Sequence, residues 1–134
     1  MKRYLLDTNI CVFFLRGKYG MDQKIRFVGF ENCYISEISL AELKYGAECS
    51  ENVSKNMKLL DDFMEEIFVV PIFSALDLFA SEKARLRRAG TMIDNFDLLI
   101  GCSSIVNNMI LVTDNVKHFN RIHSIQIENW IIRG

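Results

Sequence analysis

The sequence predicts an α/β protein in which helices cover both faces of a central, mostly parallel sheet. Short apolar runs of strand length recur along the chain, and segments with apolar residues at helical spacing lie between them. Parallel strands need long crossover connections, which are usually helices, so this alternation favours a parallel sheet. The 134-residue chain is half hydrophobic and contains no repeat or Pro/Ser-rich linker, so we expect a single domain over residues 1–134.

The N-terminal half contains two predicted strand-to-helix units. Residues 3–6 form a short apolar strand, and a helix over Thr8–Leu15 follows it until Gly17 and Gly20 interrupt the pattern. The next predicted elements are a short helix over 25–30, a strand over 33–35, and helices over 40–49 and about 53–66.

The C-terminal half continues this alternation of strands and helices. Residues 67–72 are predicted to form a buried strand, and an amphipathic helix over 74–89 ends at Gly90. The remaining predicted elements are a helix over 94–107, a strand over 109–112, a turn at 113–115 and an edge strand over 125–130.

The composition excludes several classes of protein. All apolar runs are far shorter than the ~20 residues of a membrane-spanning helix, and the first six residues lack the apolar core of a signal peptide, so we expect a cytoplasmic protein without membrane association. The four cysteines contain no C-x-x-C pair and are expected to be reduced core residues. A zinc site is not expected, because neither histidine has a partnered cysteine nearby.

The charge balance limits how the protein could bind nucleic acid. A net charge of -1 gives no overall attraction, so any RNA binding must come from a local patch. Arg85, Arg87 and Arg88 form such a patch together with Lys83. A solvated helix face is the simpler interpretation of these residues, and binding to RNA phosphates is the alternative.

Acidic residues lie just beyond the first two predicted strands or in the helix that follows. Asp7 comes directly after the first strand, where an open parallel sheet presents its ligand site, although it could equally cap the next helix. Glu42 lies near the start of the helix after the second strand. Ser39 and Glu42 have the S-x-x-E spacing of a capping box, and Glu37 is a rival carboxylate.

Two further acids occur in the C-terminal half. Asp97 precedes an apolar helical stretch, where an ionised carboxylate is costly unless it is paired or bound to a cation. Asp94, one turn earlier, is better explained as a helix cap. Asp114 and Asn115 follow the strand over 109–112, and either could offer an oxygen ligand, although Asp-Asn is also an ordinary turn dipeptide.

The joint placement of these acids predicts a metal site. Clustered carboxylates repel one another, and proteins usually relieve this repulsion with a hard divalent cation such as Mg²⁺ or Mn²⁺. Such an ion lowers the pKa of a bound water and neutralises charge on a leaving oxygen. Phosphodiester hydrolysis would then need no serine, cysteine or histidine nucleophile.

Over essentially its whole length the chain resembles the PIN-domain ribonucleases, and among them the VapC-type toxins of bacterial and archaeal toxin-antitoxin pairs. The final segment over residues 127–130 is also similar to the family. The resemblance rests on four motifs in the family's order: Leu6-Asp7-Thr8-Asn9, Ile38-Ser39-Leu40-Ala41-Glu42-Leu43, Phe96-Asp97-Leu98-Leu99-Ile100, and Leu111-Val112-Thr113-Asp114-Asn115 with His118-Phe119.

This resemblance implies a three-layer α/β/α PIN-like fold and a metal-dependent endoribonuclease with Mg²⁺ or Mn²⁺ as cofactor. Asp7, Glu42 and Asp97 match the family's catalytic, metal-binding acids. The implied partners are an RNA substrate, a cognate antitoxin that covers the acidic pocket, and a second copy of the chain in a homodimer.

The other residues of the implied site are less uniform. Asn9 and Thr113 match polar residues that support the site in the family. The family's fourth acid often falls at the position of Asn115, whereas Asp114 is the only acid in that turn. Asp114 is therefore a candidate metal ligand, and Asn115 a candidate supporting residue.

Other small α/β proteins with acidic pockets match less well. A response-regulator receiver would have paired acids after its first strand, and a haloacid-dehalogenase-like phosphatase would have Asp where this chain has Asn9. The non-enzyme alternative is a catalytically silent PIN-like module that binds RNA or protein. The retained acids argue against it.

Overall fold

The computed structural model describes residues 1–133 and contains a five-stranded parallel sheet in the order β3-β2-β1-β4-β5. The strands are β1 (Tyr4–Leu6), β2 (Cys33–Ser36), β3 (Phe68–Val70), β4 (Ile110–Val112) and β5 (Ile127–Glu128). The α-helices are α1 (Thr8–Leu15), α2 (Met21–Val28), α3 (Glu37–Glu48), α4 (Val53–Met64), α5 (Leu76–Ala89), α6 (Asn95–Val106) and α7 (Val116–Phe119).

The sheet separates two hydrophobic cores. Successive side chains of a strand point to opposite faces, and the neighbouring residues Leu5 and Leu6 accordingly belong to different cores. Helices α1 to α4 contribute to the core around Leu6, and α5, α6 and α7 contribute to the core around Leu5. This arrangement confirms the predicted three-layer α/β/α fold.

The strand order creates a crevice beside β1. The chain runs from β1 to β2 and β3 on one side, and then returns to place β4 on the other side of β1. Leu6 of β1 is aligned with Val112 of β4, so the two strands end at the same level. Ligands of open parallel sheets bind at such a switch in strand order, beyond the carboxyl ends of the strands.

Several predicted element boundaries were wrong. Helix α3 begins at Glu37, three residues before the predicted start, because Ser36 caps it by accepting from the backbone N–H of Ile38 at 3.1 Å. Helix α2 spans Met21–Val28 instead of the predicted 25–30, and it begins directly after Gly20, which has a left-handed conformation with φ 62°. Strand β3 is shorter than the predicted 67–72, β5 is shorter than the predicted 125–130, and α7 was not predicted.

Three of the four cysteines are buried, as expected, whereas Cys49 is exposed at the end of α3 and corrects that expectation. All four are free thiols. Within residues 1–133, none of the helices is both long enough and apolar enough to cross a membrane.

Candidate active site

Asp7 lies at the end of β1 and is only 5% exposed. Its Oδ1 atom accepts from the backbone N–H of Thr8 at 2.8 Å, so Asp7 does cap α1. Its Oδ2 atom accepts from the Thr113 hydroxyl at 2.8 Å, and its backbone N–H donates to Val112 in β4 at 2.9 Å. Asp7 is therefore both a helix cap and a carboxylate fixed in the crevice between β1 and β4.

The environment of Asp7 disfavours its charge. The pKa of Asp7 is raised to about 6, mainly by burial and also by the nearby charges of Asp97 and Glu42, whereas the hydrogen bonds from Thr113 and Thr8 oppose the rise. The three predicted acids therefore share one electrostatic environment, although they come from three distant parts of the sequence.

Glu42 is linked to Asp7 through Thr8. The Thr8 hydroxyl donates to Glu42 Oε1 at 2.6 Å and lies 3.0 Å from the Ser39 hydroxyl oxygen. Ser39 is buried inside α3, so the capping-box interpretation of Ser39 and Glu42 is wrong. The rival acid Glu37 accepts from the backbone N–H of Ile72 at 2.9 Å, which assigns it a structural contact after β3.

Asp97 lies in the first turn of α6 and is partly buried. Asp94 caps this helix by accepting from the backbone N–H groups of Phe96 and Asp97, as expected. Burial raises the pKa of Asp97, and the charges of Asp94 and Glu42 add to the rise, while His118 opposes it. The Oδ2 atom of Asp97 lies 3.1 Å from His118 Nε2.

Thr113 is fully buried beyond β4, where its hydroxyl donates to Asp7 and accepts from the backbone N–H of Asn115 at 3.0 Å. Asn115 is the exposed residue directly before α7, and its side chain makes no hydrogen bond that caps the helix. Asn9 is exposed in the first turn of α1. Thr113 is therefore joined to the Asp7 carboxylate, whereas among the described residues 1–133 no such link involves Asn9.

The structure places the carboxylate of Asp114 in a different contact. Asp114 accepts from Arg133 Nη1 at 2.8 Å and from Asn129 Nδ2 at 3.2 Å, and its second oxygen lies 2.8 Å from Arg133 Nη2. The hydrogen bond from Arg133 holds the pKa of Asp114 below its usual value. Asp114 therefore stays a candidate metal ligand only by prediction, and in this structure both of its oxygens are held by Arg133.

The sequence of the chain matches a known family over most of its length. A model of the PIN domain matches residues 4–124. The chain belongs to the PIN-domain family. Ribonuclease VapC2 of Rickettsia felis is 35% identical to this PIN-domain chain over 130 residues, which cover 95% of this chain and 97% of that protein.

Other relatives match this PIN domain over nearly their whole length. The tRNA(fMet)-specific endonuclease VapC of Shigella flexneri is 30% identical over 131 residues, covering 97% of this chain and 99% of that protein. The crystal structure of the DNA-bound VapBC of Salmonella typhimurium contains a chain with a TM-score of 0.90 and 30% identity, covering 97% of this chain and 99% of that one.

The donor chemistry of this PIN domain suits a hard divalent cation. Asp7, Glu42 and Asp97 offer carboxylate oxygens, and the pKa values of Asp7 and Asp97 are raised mainly by burial and partly by neighbouring carboxylates, both of which a bound cation would offset. Within residues 1–133, no three His, Cys, Asp or Glu side chains lie close enough together to bind one ion. A cation such as Mg²⁺ is commonly held by one or two carboxylates, waters and substrate phosphates, so the residues fit it.

The basic patch of the PIN domain divides into two kinds of arginine. Arg85 forms two hydrogen bonds with the buried Glu82, each 2.8 Å long, and a third with the backbone oxygen of Arg121 at 2.7 Å. This corrects the expectation that Arg85 is available to RNA. Arg87 and Arg88 are exposed in the last turn of α5 and remain candidates.

Sequence reasoning missed two residues of the candidate site. Thr8 was noted only as a motif position, yet its backbone and hydroxyl contact two of the acids. His118 was likewise only a motif position, and it lies against Asp97. A polar residue next to the buried Phe119, in the segment after β4, was the available signal for His118.

Proposed function

We propose that this PIN-domain protein is a metal-dependent endoribonuclease that hydrolyses RNA phosphodiester bonds and acts as the toxin of a type II toxin-antitoxin pair. The observation that supports the hydrolytic role is the carboxylate of Asp7 at the sheet crevice, whose pKa is raised mainly by burial and further by the nearby charges of Asp97 and Glu42. The ribonuclease names of the full-length relatives support RNA as the substrate. We expect the whole chain to work as one PIN-like domain.

In this proposal Asp7, Glu42 and Asp97 surround the site of Mg²⁺ or Mn²⁺, with one or two of these carboxylates bound to the ion directly and the rest of its ligands supplied by waters and substrate phosphates. The cation supplies a water of lowered pKa and stabilises negative charge on the phosphate oxygens. Thr113 and Thr8 fix the orientation of the Asp7 carboxylate through their hydrogen bonds, and Thr8 also holds Glu42. Burial of Asp7 excludes water from one side of the site and strengthens attraction to a cation.

The proposed partners follow from the relatives. The similar chain from Salmonella typhimurium belongs to a VapBC complex, so we expect a cognate antitoxin to bind this protein. We also expect a homodimer and a cytoplasmic location, where RNA and antitoxin are present. Because the relative from Shigella flexneri is named a tRNA(fMet)-specific endonuclease, initiator transfer RNA is the first substrate to test.

The test is cleavage of end-labelled initiator transfer RNA, another transfer RNA and a messenger RNA fragment by the purified protein. We expect cleavage with Mn²⁺ or Mg²⁺, loss of cleavage in EDTA, and recovery when the metal is restored. The Asp7→Asn variant controls for contaminating nuclease. Cleavage that persists in EDTA would refute the metal requirement, and RNA binding without cleavage under any condition would favour the silent module.

A further inference from the structure

His118 is enclosed against Asp97 in the candidate site. Its Nε2 atom is buried and lies 3.1 Å from Asp97 Oδ2. The two atoms are close, yet no residue among 1–133 makes a hydrogen bond of good geometry with this nitrogen. A buried ring nitrogen normally has a polar partner, and the Asp97 carboxylate is the group placed to serve as one.

The position of His118 is fixed by its neighbours in α7. The next residue, Phe119, is fully buried in the core around Leu5, and its ring meets the imidazole edge-on with centroids 5.8 Å apart. At the other end of α7, the backbone N–H of Asn115 donates to the Thr113 hydroxyl that also binds Asp7. The segment 113–118 therefore contacts Asp7 through the Thr113 hydroxyl and Asp97 through the His118 ring.

We propose that His118 is a positioning residue that holds one oxygen of Asp97 so that the other oxygen is directed toward the bound cation. This inference rests on the proposed function, because it assigns Asp97 a metal-binding role. An unrestrained carboxylate rotates about its terminal bond, and holding one oxygen removes that freedom before the cation arrives. Groups that orient metal ligands in this way typically contribute 10- to 100-fold to metal affinity, which sets the expected effect at about that size.

The experiment measures Mn²⁺ affinity without RNA, by calorimetry and by the electron paramagnetic resonance signal of free Mn²⁺. His118→Ala removes the imidazole, whereas His118→Gln keeps an N–H donor of similar reach. We expect Mn²⁺ binding to weaken at least about 10-fold in His118→Ala and to recover substantially in His118→Gln. His123→Ala is the matched control, because His123 is the other histidine and its side chain is exposed.

A double-mutant cycle tests whether His118 acts through Asp97. If it does, His118→Ala should weaken Mn²⁺ binding in the wild-type background and have no further effect on an Asp97→Asn protein. Melting temperatures in EDTA show whether each variant is folded. If His118→Ala fails to fold, the Mn²⁺ affinity of His118→Gln is the test. An affinity close to that of the wild type supports the proposal, and a loss of 10-fold or more overturns it.

Two results would overturn the positioning role alone. One is an unchanged Mn²⁺ affinity in folded His118→Ala while the wild type binds Mn²⁺ and cleaves RNA. The other is that His118→Ala weakens Mn²⁺ binding equally in the wild-type protein and in the Asp97→Asn protein. A wild-type protein that binds no divalent cation would overturn the proposed metal-dependent function, and this inference with it.

Discussion

Asp7 combines two properties that oppose each other, namely near-complete burial and a carboxylate that must ionise to bind metal. Burial raises its pKa to about 6, even though Thr113 and Thr8 donate hydrogen bonds to it. The protein therefore fixes the Asp7 carboxylate by hydrogen bonds without any cation and destabilises its charged form. A divalent cation would supply the missing positive charge, which is why a residue that is unfavourable for folding suits a catalytic site.

Asp7→Asn should lose cleavage by about two orders of magnitude or more, in the range seen when a catalytic acid or base is removed. The fold should persist, because asparagine has nearly the same size and its oxygen can still accept from the Thr8 backbone. The measurement is turnover of labelled RNA in Mn²⁺, with circular dichroism to verify folding. Wild-type turnover by the folded variant would exclude Asp7 from the reaction.

Asp7 and Glu42 could be singled out from the sequence because they follow the first two strands, and parallel strands end at a common edge. Asp97 could be singled out because it begins an apolar helix, where a charge is costly. Thr8 and His118 were not predictable in the same way. Their roles depend on Glu42, 34 residues after Thr8, and on Asp97, 21 residues before His118, so only folding brings the partners together. The contact between Asp114 and Arg133 was not predictable either, because Arg133 lies 19 residues further along the chain.

At the scale of single elements, α5 shows why a charge patch has no uniform meaning. Arg85 lies on the side of the helix that contains Glu82, which is buried, and the hydrogen bond from Arg85 lowers the pKa of that glutamate. Arg87 and Arg88 are exposed. Helical spacing alone could group the arginines, but the burial of Glu82 decides which of them has an internal partner.

Replacing both exposed arginines, as Arg87→Gln with Arg88→Gln, should weaken RNA binding and reduce the salt slope by about one per lost phosphate contact. Arg85→Gln should instead lower the free energy of unfolding, because it leaves the buried Glu82 without its charged partner. Filter binding at several salt concentrations and urea denaturation measure the two effects. Unchanged affinity and slope in the double variant would assign this end of α5 to solvent or a protein partner.

The turn between β4 and α7 gives a second prediction at this scale. Asn115→Asp should tighten Mn²⁺ binding, because it adds an anionic oxygen at the exposed start of α7, at the family's position for the fourth acid. Asp114→Asn should leave Mn²⁺ affinity unchanged and loosen the contact with Arg133. Calorimetric titration of both variants is the measurement. A marked loss of affinity in Asp114→Asn would return Asp114 to the metal site.

Most secondary-structure elements were predictable because their apolar spacing is regular, as in α1, whose predicted bounds match the structure. The errors occur where local signals compete. Ser36 and Ser39 can both cap a helix, and the structure uses Ser36 because β2 ends there. Helix α7 contains only four residues, too few for a periodic pattern to indicate it.

At the scale of the whole molecule, the sheet determines how distant residues form one site. Asp7 and Thr113 are 106 positions apart, yet β1 and β4 are neighbours and place them in hydrogen-bonding contact. Asp97 reaches the same crevice from α6, on the opposite face of the sheet from α3, which contributes Glu42. The site therefore forms only when the complete fold does, so the metal binding that we propose would be linked to folding stability.

This linkage predicts opposite effects of pH with and without metal. The pKa of Asp7 is about 6 in the folded protein, above its ordinary value of 3.8, so the folded state binds the proton more tightly. In EDTA, the Asp7 contribution to the free energy of unfolding should therefore decrease as pH rises from about 4 to about 6. Saturating Mn²⁺ should reverse this loss, because the cation binds the ionised carboxylate of the folded state only.

The stabilisation by Mn²⁺ should consequently be small at pH 5 and larger at pH 7.5, where a concentration of 100 times the Kd contributes about 2.7 kcal/mol. Urea denaturation at both pH values, in EDTA and in Mn²⁺, measures the four free energies of unfolding. Asp7→Asn is the control, since it cannot ionise and should lose most of the pH-dependent gain. An equal Mn²⁺ effect at the two pH values in the wild type would mean that the cation does not compete with a proton on Asp7.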